Sequence, residues 1–305
     1  MFAELAAIMA PLFIGTAIGY GWVRSGADYP SEFVSRAVMN IATPCLIVSV
    51  MARVEVEPSI MGGVALAAAV VILSMGVIGY LLTRWLKLPP VHYIPSLMFP
   101  NNGNLGLPLC LFAFGDTGLA LALAAFMVMT LSTFTVGIMM VSRAEGLGAR
   151  LKALGRQPVL YAMVLAVALL LTDTTLPLWL ANTVDLMGGF AIPLMILTLG
   201  VSLARLKLVA WRLSLAFSTL RVLGGLALAY LAARLIGLEG EALGVAVLQG
   251  AMPVAIFNYL LALRYDRAPQ EVAAMVLMST LLAFVVLPIV LVFVLPLAGT
   301  TPVAP

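Results

Sequence analysis

Charge is what this chain has least of. Asp, Glu, Lys and Arg make up 10% of its 305 residues, while 63% are hydrophobic. Soluble domains carry about 25% charged residues. No polar stretch is long enough to fold by itself in water, so the chain reads as an integral membrane protein without a soluble domain. Histidine is nearly missing, with His92 the only one. The sequence holds neither a nucleophile–base pair nor a metal-ligand cluster, so intramembrane catalysis, a bound metal and a cofactor are not expected. The two cysteines, Cys45 and Cys110, fall inside apolar segments and read as small core residues rather than a disulfide. A basic n-region is lacking too, with Glu4 in its place. The first apolar run therefore reads as a retained span and not a cleaved signal.

What is present is a series of apolar runs of about 20 residues, the length a helix needs to cross a bilayer. Ten spans read near 2–23, 31–51, 60–83, 93–114, 117–141, 158–172, 178–203, 210–236, 242–263 and 271–296. With the N-terminus outside, the connections after odd-numbered spans hold Arg24, Arg84, Lys87, Arg143, Arg150, Lys152, Arg156, Arg205, Lys207, Arg212, Arg264 and Arg267, and Arg36 lies just inside the second span. These are 13 of the 16 basic residues; the other connections hold only Arg53 and Arg234, and Arg221 lies within a span. The opposite connections are acidic, with Glu55, Glu57, Asp116, Asp173, Glu239 and Glu241. This asymmetry predicts both termini outside and a basic inner face. It also explains the pI near 9.0 without a nucleic-acid partner.

The pattern repeats. A shift of roughly 150 residues lays spans 3, 4 and 5 on spans 8, 9 and 10. Ile41-Ala42-Thr43-Pro44-Cys45-Leu46 falls on Phe190-Ala191-Ile192-Pro193-Leu194-Met195, and Gly115-Asp116 on Tyr265-Asp266. Each half, 1–150 and 151–305, holds five spans. An odd number makes the second half enter from the opposite side, so the fold predicted is all-α, two inverted five-helix repeats.

Span 4 is broken by Phe99-Pro100-Asn101-Asn102-Gly103-Asn104-Leu105-Gly106-Leu107-Pro108-Leu109. Proline removes a backbone donor and clashes with the preceding turn, and glycine weakens helix. In hydrocarbon such a break survives only where protein or a watery cavity satisfies its backbone. The repeat places a second break, Gln249-Gly250-Ala251-Met252-Pro253-Val254-Ala255-Ile256-Phe257-Asn258-Tyr259, in span 9. Paired interruptions in inverted halves point to a transporter's binding site. Pro108 and Pro253 suit the first turns of the outgoing half-helices, where a missing N–H costs nothing. Each half-helix N-terminus then presents unpaired N–H groups and roughly +0.5 of a charge, a seat for an anion. Asn101, Asn102, Asn104, Asn258 and Gln249 can add amide donors or cap loose backbone. Neither break holds a carboxylate. Arg221, an intramembrane charge, is open between a functional role and a structural anchor able to snorkel, and Asp185 between a titrating or cation-binding group and a hydrated helix-end carboxylate; His92 reads as interfacial, and Gly15 with Gly19 as close helix packing.

These residues resemble the auxin efflux carrier family, which includes bacterial malate and malonate permeases. The likeness rests on Pro100-Asn101 with Gly106-Leu107-Pro108-Leu109, Ile192-Pro193-Leu194 with Leu199-Gly200-Val201-Ser202-Leu203, and Ala251-Met252-Pro253 with Ala262-Leu263-Arg264-Tyr265. The resemblance implies an elevator-type carrier of a small organic carboxylate. Spans 1, 2, 6 and 7 would form a scaffold, shared in a homodimer, and spans 3–5 and 8–10 a moving transport domain. It gives Asn101 the role of contacting the substrate carboxylate and places Pro108 and Pro253 at the crossover. A second crossover position that is proline in plant carriers is Asn258 here, which implies a different pocket. The connection Ser142–Gln157 is short, as in the bacterial branch, which implies a bacterial inner membrane and does not carry auxin over as substrate. Three alternatives stay open at this point: a cation-coupled carrier like bile-acid or sodium/proton exchangers, a passive anion channel, and a membrane sensor. H⁺ or Na⁺ coupling is likewise open.

Overall fold

The computed structural model describes residues 2–142, 155–172, 174–207 and 209–297, and every regular element in them is helical. The helices are α1 Phe2–Arg24, α2 Ser31–Arg53, α3 Pro58–Trp85, α4 Pro90–Met98, α5 Asn102–Val141 and α6 Pro158–Thr172. They continue with α7 Leu178–Gly188, α8 Ala191–Arg205, α9 Trp211–Ile236, α10 Gly240–Gly250, α11 Ile256–Tyr265 and α12 Pro269–Leu297. With α7 and α8 taken as one run, seven are long and apolar enough to cross a membrane, and α6 is apolar but shorter. The 9 residues of α4, 11 of α10 and 10 of α11 reach only about half of a ~30 Å hydrocarbon layer at 1.5 Å per residue. Of the charges that set the orientation, Arg143, Arg150, Lys152 and Asp173 lie outside the described residues.

Local chemistry sets the boundaries. Proline opens α3, α4, α6 and α12, where its missing N–H is one of the helix's unpaired donors anyway. The C-terminus of α3 closes by Lys87 N–H to Arg84 O (3.3 Å) and Leu88 N–H to Thr83 O (2.8 Å), with Lys87 left-handed at φ 56°. The end of α9 closes in the same way, by Gly237 N–H to Arg234 O (3.2 Å) and Leu238 N–H to Ala233 O (2.9 Å), with Gly237 at φ 85°. Within α5 two arms, 102–114 and 116–141, meet at Gly115 (φ 65°, ψ −154°), a conformation open essentially to glycine.

The outer surface is one that water would not tolerate. Leu73, Val77, Leu81 and Trp85 form an exposed stripe along α3, as do Val285, Ile289, Phe293 and Leu297 along α12. Spacing of four residues puts each set on one helix face, and lipid tails cover such a face without cost. Inside, α1 packs along α8, and α2 packs on α6 and α7. A second group joins α3 to α4, α5 and α9, α9 to α10, and α12 to α9, α10 and α11. Gly15 and Gly19 do provide close packing: a Cβ at Gly19 would meet the Leu197 carbonyl of α8, and one at Gly15 the Ile196 side chain.

Asp185 has a structural partner set. Its carboxylate accepts a hydrogen bond from Ser49 Oγ and pairs with Arg53 at 3.3 Å, tying α7 to α2. The pair is half exposed, so it contributes about 0.5 kcal/mol, and the hydroxyl bond about 1 kcal/mol. Asp185→Asn should therefore lower the melting temperature by a few degrees and leave ligand affinity unchanged, checked by thermal unfolding and binding on the same preparation.

Candidate functional site

The two breaks meet. Pro100 and Val254 form an isolated antiparallel bridge, closed by Asn101 N–H to Pro253 O (2.7 Å) and Ala255 N–H to Phe99 O (3.1 Å). Both prolines sit where the bridge asks for no donor. Asn258 Nδ2 donates to Phe99 O (2.9 Å), and Val254 N–H donates to Ser279 Oγ of α12 (3.0 Å). Each extended linker thus completes the backbone hydrogen bonding of the other, as a break in an apolar layer requires.

Beyond the bridge, the outgoing helices begin differently from one another. The first turn of α5 is a wide π turn, Asn102–Gly106, in which Asn101 O accepts from Gly106 N–H at 3.2 Å. Pro108 is the second residue of the regular helix that follows. The wide turn relieves the clash its ring would make with the carbonyl four residues earlier. Pro253 departs from expectation: it lies in the extended linker, and α11 starts only at Ile256. Its rigid φ keeps the linker extended, and its carbonyl takes the Asn101 N–H.

A cavity of about 180 Å³ opens where these helix starts face α2 and α8. Asn101, Gly103, Asn104 and Asn258 line it from the crossover; Ser31, Ser35, Thr198 and Ser202 line it from the opposite wall. Met39, Phe126, Met129, Phe134, Met195 and Phe257 supply much of the apolar lining, and among the described residues no charged side chain lines it. Asn101 is 4% exposed, and among the described residues its Nδ2 has no hydrogen-bond partner; Asn258 Oδ1 is unpartnered in the same way. The remaining amides point elsewhere. Asn102 and Gln249 line a separate void of about 20 Å³ between α3, α5 and α10, and Pro108 and Pro253 line neither space. Gln249 Nε2 reaches Cys110 Sγ at 3.4 Å, while Gln249 Oε1 and Asn102 Oδ1 are buried acceptors without a partner. The small void has room for one water able to donate to both.

The profile of the membrane transport protein family matches residues 6–291. The chain belongs to this family, that of the auxin efflux carriers. An uncharacterized transporter of Methanothermobacter thermautotrophicus is 29% identical over 273 residues, covering 84% of this chain and 86% of its own length. The transporter MJ1031 of Methanocaldococcus jannaschii is 24% identical over 274 residues, covering 84% of this chain and 87% of its own. Both relatives are archaeal, so the likeness is not confined to bacterial proteins. The protein is thus a multi-pass membrane transporter.

In this transporter Arg221 does not snorkel. It is wholly buried in a π turn of α9, Leu220–Gly224. Its Nη1 donates to Leu97 O (2.8 Å), its Nε to Met252 O (3.2 Å) and its Nη2 to Gly250 O. Leu97 and Gly250 are at the C-terminal ends of α4 and α10, so one guanidinium caps both incoming half-helices. Further π turns, Val38–Ala42 in α2 and Thr133–Gly137 in α5, put Val38, Met39, Thr133 and Phe134 on the cavity wall. The hydroxyl wall was missed in the sequence, although Ser31 with Ser35 and Thr198 with Ser202 are each spaced to share one helix face.

Proposed function

We propose that this protein is an elevator-type secondary transporter of a small organic carboxylate, bound in the cavity at the crossing of the two breaks. One observation carries the reading: Asn101, which lines that cavity, holds a buried amide Nδ2 that has no acceptor among the described residues. A buried donor left unsatisfied is costly, and a carboxylate supplies what it lacks. The starts of α5 and α11 adjoin the same space, and the first N–H groups of a helix lack intrahelical carbonyls; Leu105 and Asn258 N–H are the ones already taken, by Asn101 O and Ala255 O. Together the two starts contribute roughly one positive charge, while Arg221 offsets the negative ends of α4 and α10 on the other side of the bridge. The apolar walls suit the body of an organic anion. Asn104 and Asn258 are proposed to hold the ligand with Asn101; Asn102, Gln249, Pro108 and Pro253 are proposed to shape the crossover behind it.

The architecture proposed is the inverted repeat 1–150 and 151–305. Support comes from the matching caps of α3 and α9, and from left-handed residues at Gly115 and Asp266 after each broken segment. The cavity lies between the α1, α2, α6–α8 group and the other helices, where sliding of one against the other would carry the ligand. A homodimer built through the first group, and both termini outside the cytoplasmic membrane, complete the reading.

Thermal-shift screening of the purified transporter against small carboxylates tests it. Ligands that bind the native state raise its melting temperature. Among the described residues no titratable side chain lines the cavity, and a free carboxyl titrates at roughly pH 4–5, as in model compounds. Affinity should accordingly be flat between about pH 6 and 8 and fall below about pH 5. No response to any carboxylate would overturn the proposal, and flux that never saturates would make the protein a channel.

A further inference from the structure

The polarity of the crossover has a consequence for coupling. Where α4 and α10 end, carbonyl oxygens of Leu97, Gly250 and Met252 converge on one point. Helix C-termini leave such oxygens unpaired and carry roughly −0.5 of a charge each. Three convergent carbonyls at two negative helix ends are a seat for a cation, and the Arg221 guanidinium fills it. The fit is built in. Arg221 is 0% exposed, and among the described residues no carboxylate pairs with it. A Cβ at Gly225 would strike both the guanidinium and the Gly250 carbonyl, so glycine there makes the room. Further amide oxygens without a partner among the described residues are Asn258 Oδ1, a single oxygen at the main cavity, and Asn102 Oδ1 with Gln249 Oε1 at the small void, which Gly250 borders too. A mobile cation there would sit beside the buried guanidinium and be repelled by it.

We infer that Arg221 is a tethered substitute for a coupling cation: it holds both broken segments in place, and the carrier works without Na⁺. The inference rests on the crossover being the transport site, but its test uses inorganic and small organic cations alone. It therefore stands or falls independently of whether a carboxylate is bound.

The purified wild-type protein should melt at the same temperature in NaCl, KCl and choline chloride of equal ionic strength. A rise specific to NaCl would overturn the inference. Arg221→Ala should lower the melting temperature by about 5 °C or more. Millimolar methylguanidinium or Na⁺ should then recover part of that loss in the variant and none in the wild type. Arg221→Lys, which keeps the charge but not the fork, should retain over half of the lost stability. If the lysine variant melts as low as the alanine variant and no cation shifts either, shape rather than charge is what Arg221 supplies and the inference fails. Should the alanine variant not fold at all, the wild-type salt series and the lysine variant still decide.

Discussion

Asn101→Ala should abolish detectable carboxylate binding in a protein that still folds. The two consequences separate because Asn101 uses its backbone and its side chain for different purposes. Its N–H reaches Pro253 O at 2.7 Å and its carbonyl closes the first turn of α5, and both survive truncation at Cβ. The side-chain Nδ2 has no partner among the described residues, so removing it orphans nothing and relieves an unsatisfied buried donor. Stability should be unchanged or slightly higher. In the complex the same nitrogen would donate to a charged oxygen in a dry pocket, a bond worth about 1.5–3 kcal/mol. That is a loss of roughly 10- to 150-fold in affinity. At a ligand concentration just sufficient to shift the wild-type melting curve, the variant should show no shift. Equal affinity in the two proteins would remove Asn101 from the site and take the proposed function with it.

The long elements of this fold can be read from the sequence because hydrocarbon sets their length and charge punctuates their ends. Apolar runs bounded by Arg24, Arg53, Arg84 and Arg234 end where α1, α2, α3 and α9 end. The positions of the breaks are also legible, since proline, glycine and amide residues cluster within one apolar run around Pro100 and again around Pro253. Their pairing was less so. Hydrogen bonds between Phe99–Asn101 and Pro253–Ala255 join residues far apart in the chain, and such contacts leave no periodicity. Side-chain direction through the break was not legible at all. An extended linker followed by a π turn follows neither the period of a strand nor that of a helix, so Asn101 and Asn104 reach the cavity while Asn102 faces the void behind it. Proline suits both a helix start and an extended linker, so sequence does not separate the two places for Pro253. Arg221 could have been found by counting. Two broken helices each leave bare carbonyls in an apolar layer, and Arg221 is the basic residue deep enough to meet them.

Gly200→Val should disrupt the molecule more than any substitution in the cavity. Here α8 lies against α1 so closely that a Cβ at Gly200 would overlap the Thr16 carbonyl and approach the Tyr20 backbone nitrogen. Close backbone approach is how membrane helices associate when lipid removes the hydrophobic drive between them. A flexible neighbour could step aside, but a helix backbone cannot. Either α1 moves outward along its whole contact with α8, or the contact is lost. Overpacking against side chains costs about 1–3 kcal/mol, and rigid backbone puts this case at the upper end or above. Gly21→Ala on the same α1 supplies the control, because a Cβ there meets nothing within 4 Å. Alanine is the better helix former by about 1 kcal/mol, so that variant should melt at or above the wild type. Gly200→Val should melt far lower or fail to purify as a single species. Thr198 and Ser202, on either side of Gly200, line the cavity, so movement of α8 would open the hydroxyl wall as well. Comparable melting of the two variants would mean that α1 and α8 do not bear on one another as described.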